Sequence, residues 1–227
     1  MDWKEVIRGS GLYVHTYLYK KFGQVNSVAI QIGQGGLALV SPPPAPSEAV
    51  ISELLSLGEL RHLVIPNVGH LSGVDAWRHR FTKARIHAPE IAIPLLPRLG
   101  VTCEVEPLSH IETETGLGII DVPGARMGST YVHSTKGDQP VAYLDEIIIN
   151  IKTRPRSLIN KLAFLITGTK PRLTVNKVFA KTLCSDPQSV KRRALSLIAD
   201  DSVVVPAHGD IVFEAESIDR IRDLLLE

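Results

Sequence analysis

The sequence has few cysteines, and this shortage excludes one class of protein. Only two of the 227 residues are cysteines, Cys103 and Cys184. They lie too far apart in the chain to have the close spacing of a metal-binding or redox pair. We therefore expect two free thiols and a reducing compartment, and not a small secreted fold held together by disulfides.

The sequence also has little net charge and no long apolar run. Twenty-five Lys and Arg residues stand against 24 Asp and Glu residues, so the formal net charge is +1. This balance provides no global field for nucleic acid or an anionic membrane. No segment approaches about 18 uninterrupted apolar residues, and the opening Met1-Asp-Trp-Lys-Glu-Val lacks the pattern of a secretion signal. We expect a cytoplasmic protein with no nucleic acid and no membrane as a partner.

The composition is that of an ordinary globular protein. Hydrophobic residues make up 44% of the chain and charged residues 22%. Neither an internal repeat nor a low-complexity linker interrupts the sequence. These features predict one domain over residues 1–227.

The first part of the chain predicts a β-meander followed by a strand–helix–strand unit. Alternating apolar residues predict strands at Leu12 to Tyr19, Ser27 to Gly33, Gly35 to Ser41 and Leu63 to Ile65. Ser47 is predicted to cap a helix from Glu48 to Leu57, which Gly58 ends. This order predicts a right-handed crossover between parallel strands.

The rest of the chain repeats this order with different material. Strands are predicted at Ala84 to Ala88, Thr102 to Pro107, Gly118 to Pro123, Thr130 to Ser134, Val141 to Asn150 and Val203 to Val205. Helices are predicted at Asp75 to Phe81, around Leu158 to Leu165, at Ser189 to Ala199 and at Glu216 to Leu226. The whole order predicts an α/β protein with two packed sheets and helices outside.

Two histidines follow predicted strands and suggest one shared site. His70 comes after the strand Leu63 to Ile65, and His208 comes after the strand Val203 to Val205. In α/β folds, the residues that bind ligands commonly lie at the carboxyl ends of strands. Five further histidines have no ligand spacing among themselves: His15, His62, His79, His87 and His110.

Five separated motifs, in order, resemble the metallo-β-lactamase superfamily. They are Gly35-Gly-Leu-Ala-Leu-Val, Arg61-His-Leu-Val-Ile-Pro-Asn-Val-Gly-His, Val122-Pro-Gly-Ala, Tyr143-Leu-Asp-Glu-Ile-Ile-Ile-Asn and Val205-Pro-Ala-His-Gly. The resemblance covers roughly Leu12 to Phe213 and is nearest to a branch in which Pro-Asn-x-x-His replaces the usual ligand run. It implies a four-layer αββα sandwich of the metallo-β-lactamase type.

The resemblance also implies a depleted metal site. The superfamily's His-x-His-x-Asp-His run becomes Pro66-Asn-Val-Gly-His, with Asn67 near a ligand position and Gly69 where a catalytic Asp would stand. The histidine of the Pro-Gly-His turn becomes Ala125, and Ser41 stands where the family commonly has a supporting Asp. The implied metal ligands are His70, Asp145 and His208, with Asn67 as a fourth.

Two functions follow from this ligand set. Two imidazoles and one carboxylate suit one zinc or iron(II) ion, and such an ion would support hydrolysis of a small ester, lactone, thioester or phosphoester. The alternative is a catalytically inactive member without metal, which binds a small anionic ligand or a protein partner in the former cleft. Other candidates have a simpler structural interpretation: His133 as a strand residue, Asp75 as a helix cap and Asp210 as a turn residue.

The segment from Ile151 to Lys181 has eight Lys and Arg residues and no acidic residue. It follows directly on Asp145, so it is a candidate lid that recognises an anionic substrate, with Arg154 and Arg172 as binding residues. A basic helical excursion with solvated cations remains the other interpretation.

Overall fold

The computed structural model describes residues 2–19, 23–153 and 157–227. In chain order the strands are β1 (Lys4–Glu5), β2 (Leu12–Tyr19), β3 (Gly23–Ile32), β4 (Gly36–Val40), β5 (Glu59–Val64), β6 (Arg85–Ala88), β7 (Glu106–Pro107), β8 (Leu117–Asp121), β9 (Thr130–Ser134), β10 (Val141–Tyr143), β11 (Ile148–Asn150), β12 (Leu173–Val175), β13 (Val203–Val205) and β14 (His208–Gly209). The α-helices are α1 (Glu48–Leu57), α2 (Val74–Arg80), α3 (Leu158–Thr167), α4 (Pro187–Leu195) and α5 (Ala215–Leu226).

The strands form two sheets. The larger has the order β12-β11-β14-β3-β4-β5-β6-β7, with β2 also paired to β3 and β1 to β2. The smaller has the order β13-β10-β9-β8. The pair β4 and β5 is parallel, as the strand–helix–strand order predicts, and β10 and β13 are parallel in the other sheet.

The two sheets pack face to face, with helices on both outer sides. Val28 and Val40 of the larger sheet share a buried cluster with Val132, Val141 and Val205 of the smaller sheet. Helices α1 and α2 cover the outer face of the larger sheet, and α4 and α5 cover that of the smaller. The predicted four-layer αββα sandwich is therefore confirmed.

Helix α1 shows how local sequence signals set an element. The Oγ of Ser47 accepts a hydrogen bond from the backbone N–H of Val50, which satisfies one of the free donors of the first turn. Val50, Ile51 and Leu54 lie on the buried face, and the helix ends before Gly58. The bounds Glu48 and Leu57 are those that the sequence predicts.

The apolar run from Val141 to Asn150 is not one strand, and this corrects the sequence prediction. It divides into β10 of the smaller sheet and β11 of the larger sheet. Asp145, in the connection, has a φ of 43°, so the backbone turns sharply there. The chain crosses between the two sheets at this turn.

The remaining strand predictions hold with shifted ends, except that Thr102 to Pro107 shrinks to Glu106–Pro107.

Within the three described ranges, no helix has the length and apolar character needed to cross a membrane.

Candidate metal centre

The candidate site lies where strands of both sheets end at the same edge. Ser41 follows β4 and His70 lies in the turn after β5, while Glu146 follows β10 and His208 begins β14, shortly after β13. Because β4 and β5 are parallel in one sheet and β10 and β13 in the other, their carboxyl ends bring these side chains together.

Three side chains form the centre of this site. The Oε1 atom of Glu146 lies 2.8 Å from Nε2 of His70 and 3.0 Å from Nε2 of His208. The two imidazole centroids are 5.5 Å apart. Both Nε2 atoms therefore donate hydrogen bonds to a single carboxylate oxygen. We call His70, Glu146 and His208 the His–Glu–His cluster.

Neighbouring polar groups orient the cluster from outside. The Oγ of Ser41 lies 2.7 Å from Nδ1 of His70. The side-chain amide of Asn176 donates to Oε2 of Glu146 at 3.1 Å, and His208 has a hydrogen bond with the backbone of Gln24. Each member of the cluster is therefore held by at least one further contact, which restricts the orientation of its ring or carboxylate.

Electrostatics within the cluster favour a charged pair. Burial raises the pKa of Glu146, but the charge of His208 and hydrogen bonds from both imidazoles outweigh this and hold it well below its usual range. Burial lowers the pKa of His208, yet the Glu146 carboxylate reverses this and raises it overall. These shifts favour an ionised Glu146 carboxylate beside His208, which readily accepts a proton.

Asp145 lies beside the cluster and has different partners. Its carboxylate is fully buried and accepts hydrogen bonds from Asn67, from Ser129 at 2.9 Å and from Tyr143 at 3.4 Å. Burial, and then the charge of Glu146, raises the pKa of Asp145 to about 6. These bonds connect three segments of the chain beneath the site.

Asn67 acts as a bridge between the turn after β5 and Asp145. Its amide nitrogen lies 2.9 and 3.1 Å from the two carboxylate oxygens of Asp145, and its Oδ1 accepts from the N–H of Gly69 at 2.8 Å. A Cβ at Gly69 would lie 2.9 Å from the same Oδ1. A side chain at this position would therefore displace Asn67 from its hydrogen bond with the N–H of Gly69.

The structure brings together two of the predicted ligands, His70 and His208, with a carboxylate that the sequence analysis did not name. Glu146 completes the group whose donor atoms all lie within 4.8 Å of one another. The assignment of Asp145 and Asn67 as ligands stays a prediction. Glu146 directly follows Asp145 in the sequence, and the turn at Asp145, where φ is 43°, decides which of the two adjacent carboxylates meets the histidines.

The donor set fits one metal ion. Zinc accepts imidazole nitrogen and carboxylate oxygen at about 2.0–2.2 Å, and iron(II) sites with open positions use the same two-histidine, one-carboxylate combination. Nε2 of His70 can bind a metal only when the ring proton is on Nδ1, where the Oγ of Ser41 can accept it. His70, Glu146 and His208 are therefore the residues that would hold the ion.

The cluster opens on a cavity of about 230 Å³ with mostly apolar walls. The polar part of the wall is formed by the cluster together with Ser41, Asn67, Ser72, Asn160 and Asn176. Apolar side chains make up most of the remaining wall: Tyr17, Tyr19, Val25, Pro42, Met127, Ile149, Ile151, Ala163, Phe164, Val178, Phe179 and Leu183. No Lys or Arg among the described residues lines this cavity.

The structure describes one of the two predicted substrate-binding arginines, and that one is not in this wall. Arg172 is exposed and does not line the cavity, and Arg154 lies outside the described residues. Lys152 is also exposed and pairs with Asp210 at 2.7 Å. The role of the segment in binding an anionic substrate stays a prediction.

Ala125, where the resemblance implies that a histidine ligand is absent, belongs to the protein core. Ala125 is fully buried and packs with Val122, Tyr131 and Cys184 against the outer side of the smaller sheet. His133 packs over Gly118, where a Cβ would lie 2.2 Å from its ring. Asp75 lies in the first turn of α2, where it pairs with Arg78 at 3.2 Å.

Comparison with solved structures agrees with this architecture. A metallo-β-lactamase from Pontibacter korlensis superposes with a TM-score of 0.61 at 12% identity, over 99% of this chain and 98% of that one. One from Hirschia baltica has a TM-score of 0.59 at 18% identity, over 99% and 98% of the two chains. FIM-1 from Pseudomonas aeruginosa, in its mono-zinc form, has a TM-score of 0.60 at 16% identity, over 99% and 94%.

Sequence comparison adds nothing to this: no protein-family model and no curated protein sequence matches the chain. The structural matches share little identity but cover nearly the full length of both chains. They show that this chain has the metallo-β-lactamase fold.

Proposed function

We propose that the protein is a hydrolase with one metal ion, acting on a small ester, lactone, thioester or phosphoester that has an apolar group. The observation that carries the proposal is the convergence of His70 Nε2, Glu146 Oε1 and His208 Nε2 at the end of the cavity. Bound zinc or iron(II) would supply Lewis acidity and activate water for hydrolysis at neutral pH.

The chain's own residues divide the remaining work. Ser41 fixes the orientation of His70, and Asn176 fixes that of Glu146. The buried Asp145, with its three donors, holds the turn after β5 against the connection between β10 and β11. Ligands held in this way keep their geometry when substrate binds.

The cavity wall supports an apolar group in the substrate. Aromatic and aliphatic side chains surround most of the space, and the His–Glu–His cluster forms part of the polar remainder of the wall. Such a cavity binds the non-reacting part of a substrate by burial of apolar surface and places a polar bond beside the cluster. A chain of a few carbons on the acyl or leaving group would occupy this wall.

A second function is favoured by one observation. Oε1 of Glu146 satisfies both imidazoles by hydrogen bonds without an ion. A chain that keeps this arrangement in solution would be a binding protein, in which the cavity holds a small ligand and no hydrolysis occurs.

Metal content and activity distinguish the two. Protein purified without chelator or added metal is analysed for zinc and iron, then assayed with nitrophenyl esters of increasing acyl length, a lactone, a thioester and a nitrophenyl phosphodiester. We expect about one ion per chain and a hydrolysis that chelation abolishes and zinc or iron restores.

The matched variants are His208→Ala and His79→Ala. The first removes a ligand and should lower metal affinity at least about 10-fold, with a parallel loss of activity. The second removes an exposed histidine of α2 and should change neither. Wild-type protein without metal and without hydrolysis, which still binds apolar ligands, would contradict the proposal and support the binding protein.

A further inference from the structure

Helix α3 exposes an unusually apolar face to solvent. Leu158 is 81% exposed, Ile159 79% and Ile166 74%, and Leu162 and Leu165 are also more than half exposed. Leu158, Leu162 and Leu165 follow the i, i+4, i+7 spacing of one helix face, and the two isoleucines border it. The five side chains therefore form one continuous apolar stripe on the outside of the protein, which we call the outer face of α3.

The opposite side of the same helix belongs to the cavity. Asn160, Ala163 and Phe164 line the cavity wall, and Phe164 packs with Ile149 of β11 and with Ile151, which follows that strand. The helix is thus anchored by its inner side, and the outer face is not required for this packing. Monomeric proteins rarely leave such a contiguous apolar patch exposed unless it binds something.

The charges of the segment that contains the outer face indicate the kind of surface that this face fits. Lys161 lies one turn from both Leu158 and Leu165. The other described cations of the segment are exposed: Lys152, Lys170, Arg172, Lys177 and Lys181. From Ile151 to Lys181 the sequence has no Asp or Glu. An exposed apolar helix face in a segment that has cations and no acidic residue is typical of helices that lie in the surface of an anionic bilayer.

A second copy of the chain fits this surface less well. A two-fold interface would place the same face of both chains together, so the cations of one copy would meet those of the other. Like charges in contact oppose association. An anionic lipid surface has no such conflict, because it accepts the apolar side chains and attracts the cations at the same time.

We propose that the outer face of α3 docks the protein on an anionic lipid surface, with Leu158, Ile159, Leu162, Leu165 and Ile166 entering the acyl boundary. The balanced charge of the whole chain predicts no membrane partner, but a sum over the chain does not describe the charge of this segment. Eight of the chain's cations are concentrated in the one sequence segment that contains the apolar stripe. The proposal does not depend on hydrolysis, since binding to lipid requires only the outer face.

Docking at α3 would place the bilayer beside the cavity. A helix with its side chains is about 10 Å across, so the lipid surface and the cavity wall formed by Asn160, Ala163 and Phe164 would be separated by one helix. An apolar ligand dissolved in the bilayer would then have a short path to the cavity.

The test is co-flotation of the full chain with vesicles. One set contains phosphatidylcholine with about 30% phosphatidylglycerol, and the other contains phosphatidylcholine alone. We expect binding to the anionic set, much weaker binding to the neutral set, and loss of binding as salt reduces the screening length from about 10 Å at 0.1 M to about 3 Å at 1 M.

Two variants and a matched control make the test specific. Ile159→Asn with Ile166→Asn removes two exposed apolar side chains that do not line the cavity, and should weaken vesicle binding at least about 10-fold. Lys161→Gln with Lys170→Gln should reduce the preference for anionic vesicles. Ile91→Asn with Leu99→Asn removes two other exposed apolar residues, near β6, and should bind as the wild type does.

Circular dichroism and an unfolding curve confirm that each variant is folded. Equal flotation of wild type and the Ile159→Asn, Ile166→Asn variant would overturn the proposal, as would failure of the wild type to bind anionic vesicles. A wild-type dimer that this variant dissociates, without any vesicle binding, would assign the outer face to a second copy and also overturn it.

Discussion

The protein has two pairs of neighbouring histidines, which differ in their hydrogen-bond partners and in their access to the cavity. His62 and His87, on neighbouring strands β5 and β6, are enclosed in the protein, with 2.8 Å between Nδ1 of His62 and Nε2 of His87. His70 and His208 border a cavity and share the carboxylate of Glu146. The difference is a carboxylate and an open space, and neither is visible in the spacing of histidines along the chain.

The hydrogen bonds of the enclosed pair define its protonation. Nδ1 of His87 lies 3.2 Å from the carbonyl oxygen of Pro107, which can only accept, so this nitrogen carries a proton. The neutral ring then accepts at Nε2, and His62 donates from Nδ1. Burial, followed by the charge of His87, lowers the pKa of His62 to about 4. The pair is a neutral packing element, whereas the pair at the cavity is built around a charge.

Acidification should therefore distinguish the two pairs. The largest effect is expected at the enclosed pair, as a loss in the free energy of unfolding of the protein. The pKa of His62 is depressed in the folded state, so the unfolded chain binds more protons and stability falls as pH drops from about 6.5 toward about 4. The loss assigned to His62 is about 3 kcal/mol. Its charged or titratable neighbours, Arg61, Arg85, His87 and Glu106, are part of this balance.

Urea unfolding at several pH values measures this loss. His62→Gln keeps a donor for His87 and does not titrate, so its free energy of unfolding should depend less on pH than that of the wild type. His79→Gln, at an exposed histidine, should follow the wild type. Parallel curves for His62→Gln and wild type would show that the enclosed pair is not the acid-sensitive element.

The substitution Ala125→His tests whether a second metal ion can be bound beside the cavity pair. The resemblance alone suggests that Ala125→His restores a ligand. Because Ala125 is fully buried among core residues, we instead expect overpacking, with a loss of about 2 kcal/mol and no additional bound metal.

Thermal unfolding and metal analysis check both parts of this expectation. Ala76→His, on the exposed side of α2, provides the control for an added imidazole. A second ion bound by Ala125→His at wild-type stability would mean that this turn faces the cavity.

Removal of the Ser41 hydroxyl tests how much orientation matters at the cavity pair. Its Oγ is 2.7 Å from Nδ1 of His70, so Ser41→Ala should lower metal affinity about 10-fold while the stoichiometry stays unchanged. Ser72→Ala, which also lines the cavity, is the matched control. Competition with a chromogenic chelator gives the metal dissociation constants of wild type and of each variant. Equal constants for wild type and Ser41→Ala would exclude Ser41 as an orienting residue.

Most of the fold could be predicted from the sequence, because it depends on local signals. Ser47, Glu48 to Leu57 and Gly58 define a helix by capping and periodicity, and the crossover rule then makes β4 and β5 parallel. The separation of Val141 to Asn150 into two strands was not predictable in this way. Both halves are apolar, and the turn depends on a positive φ at Asp145 that non-glycine residues seldom adopt.

The candidate site depends on that same turn. His70 and His208 were found because each follows a strong strand signal. Glu146 was missed because the resemblance directs attention to Asp145, and only the backbone turn decides which of the two adjacent carboxylates meets the histidines. The cavity wall could not be predicted from the sequence either, because its apolar residues come from segments that are distant in the chain.

Metal titration of two isosteric variants tests the central claim most directly. Glu146→Gln and Asp145→Asn each remove one charge from neighbouring residues without changing side-chain size, and Asn tolerates the positive φ at position 145. With Glu146 as the ligand, calorimetry should show one zinc or iron ion bound to wild type and to Asp145→Asn, and affinity at least about 10-fold lower for Glu146→Gln. Retention of metal by Glu146→Gln together with its loss from Asp145→Asn would contradict the account.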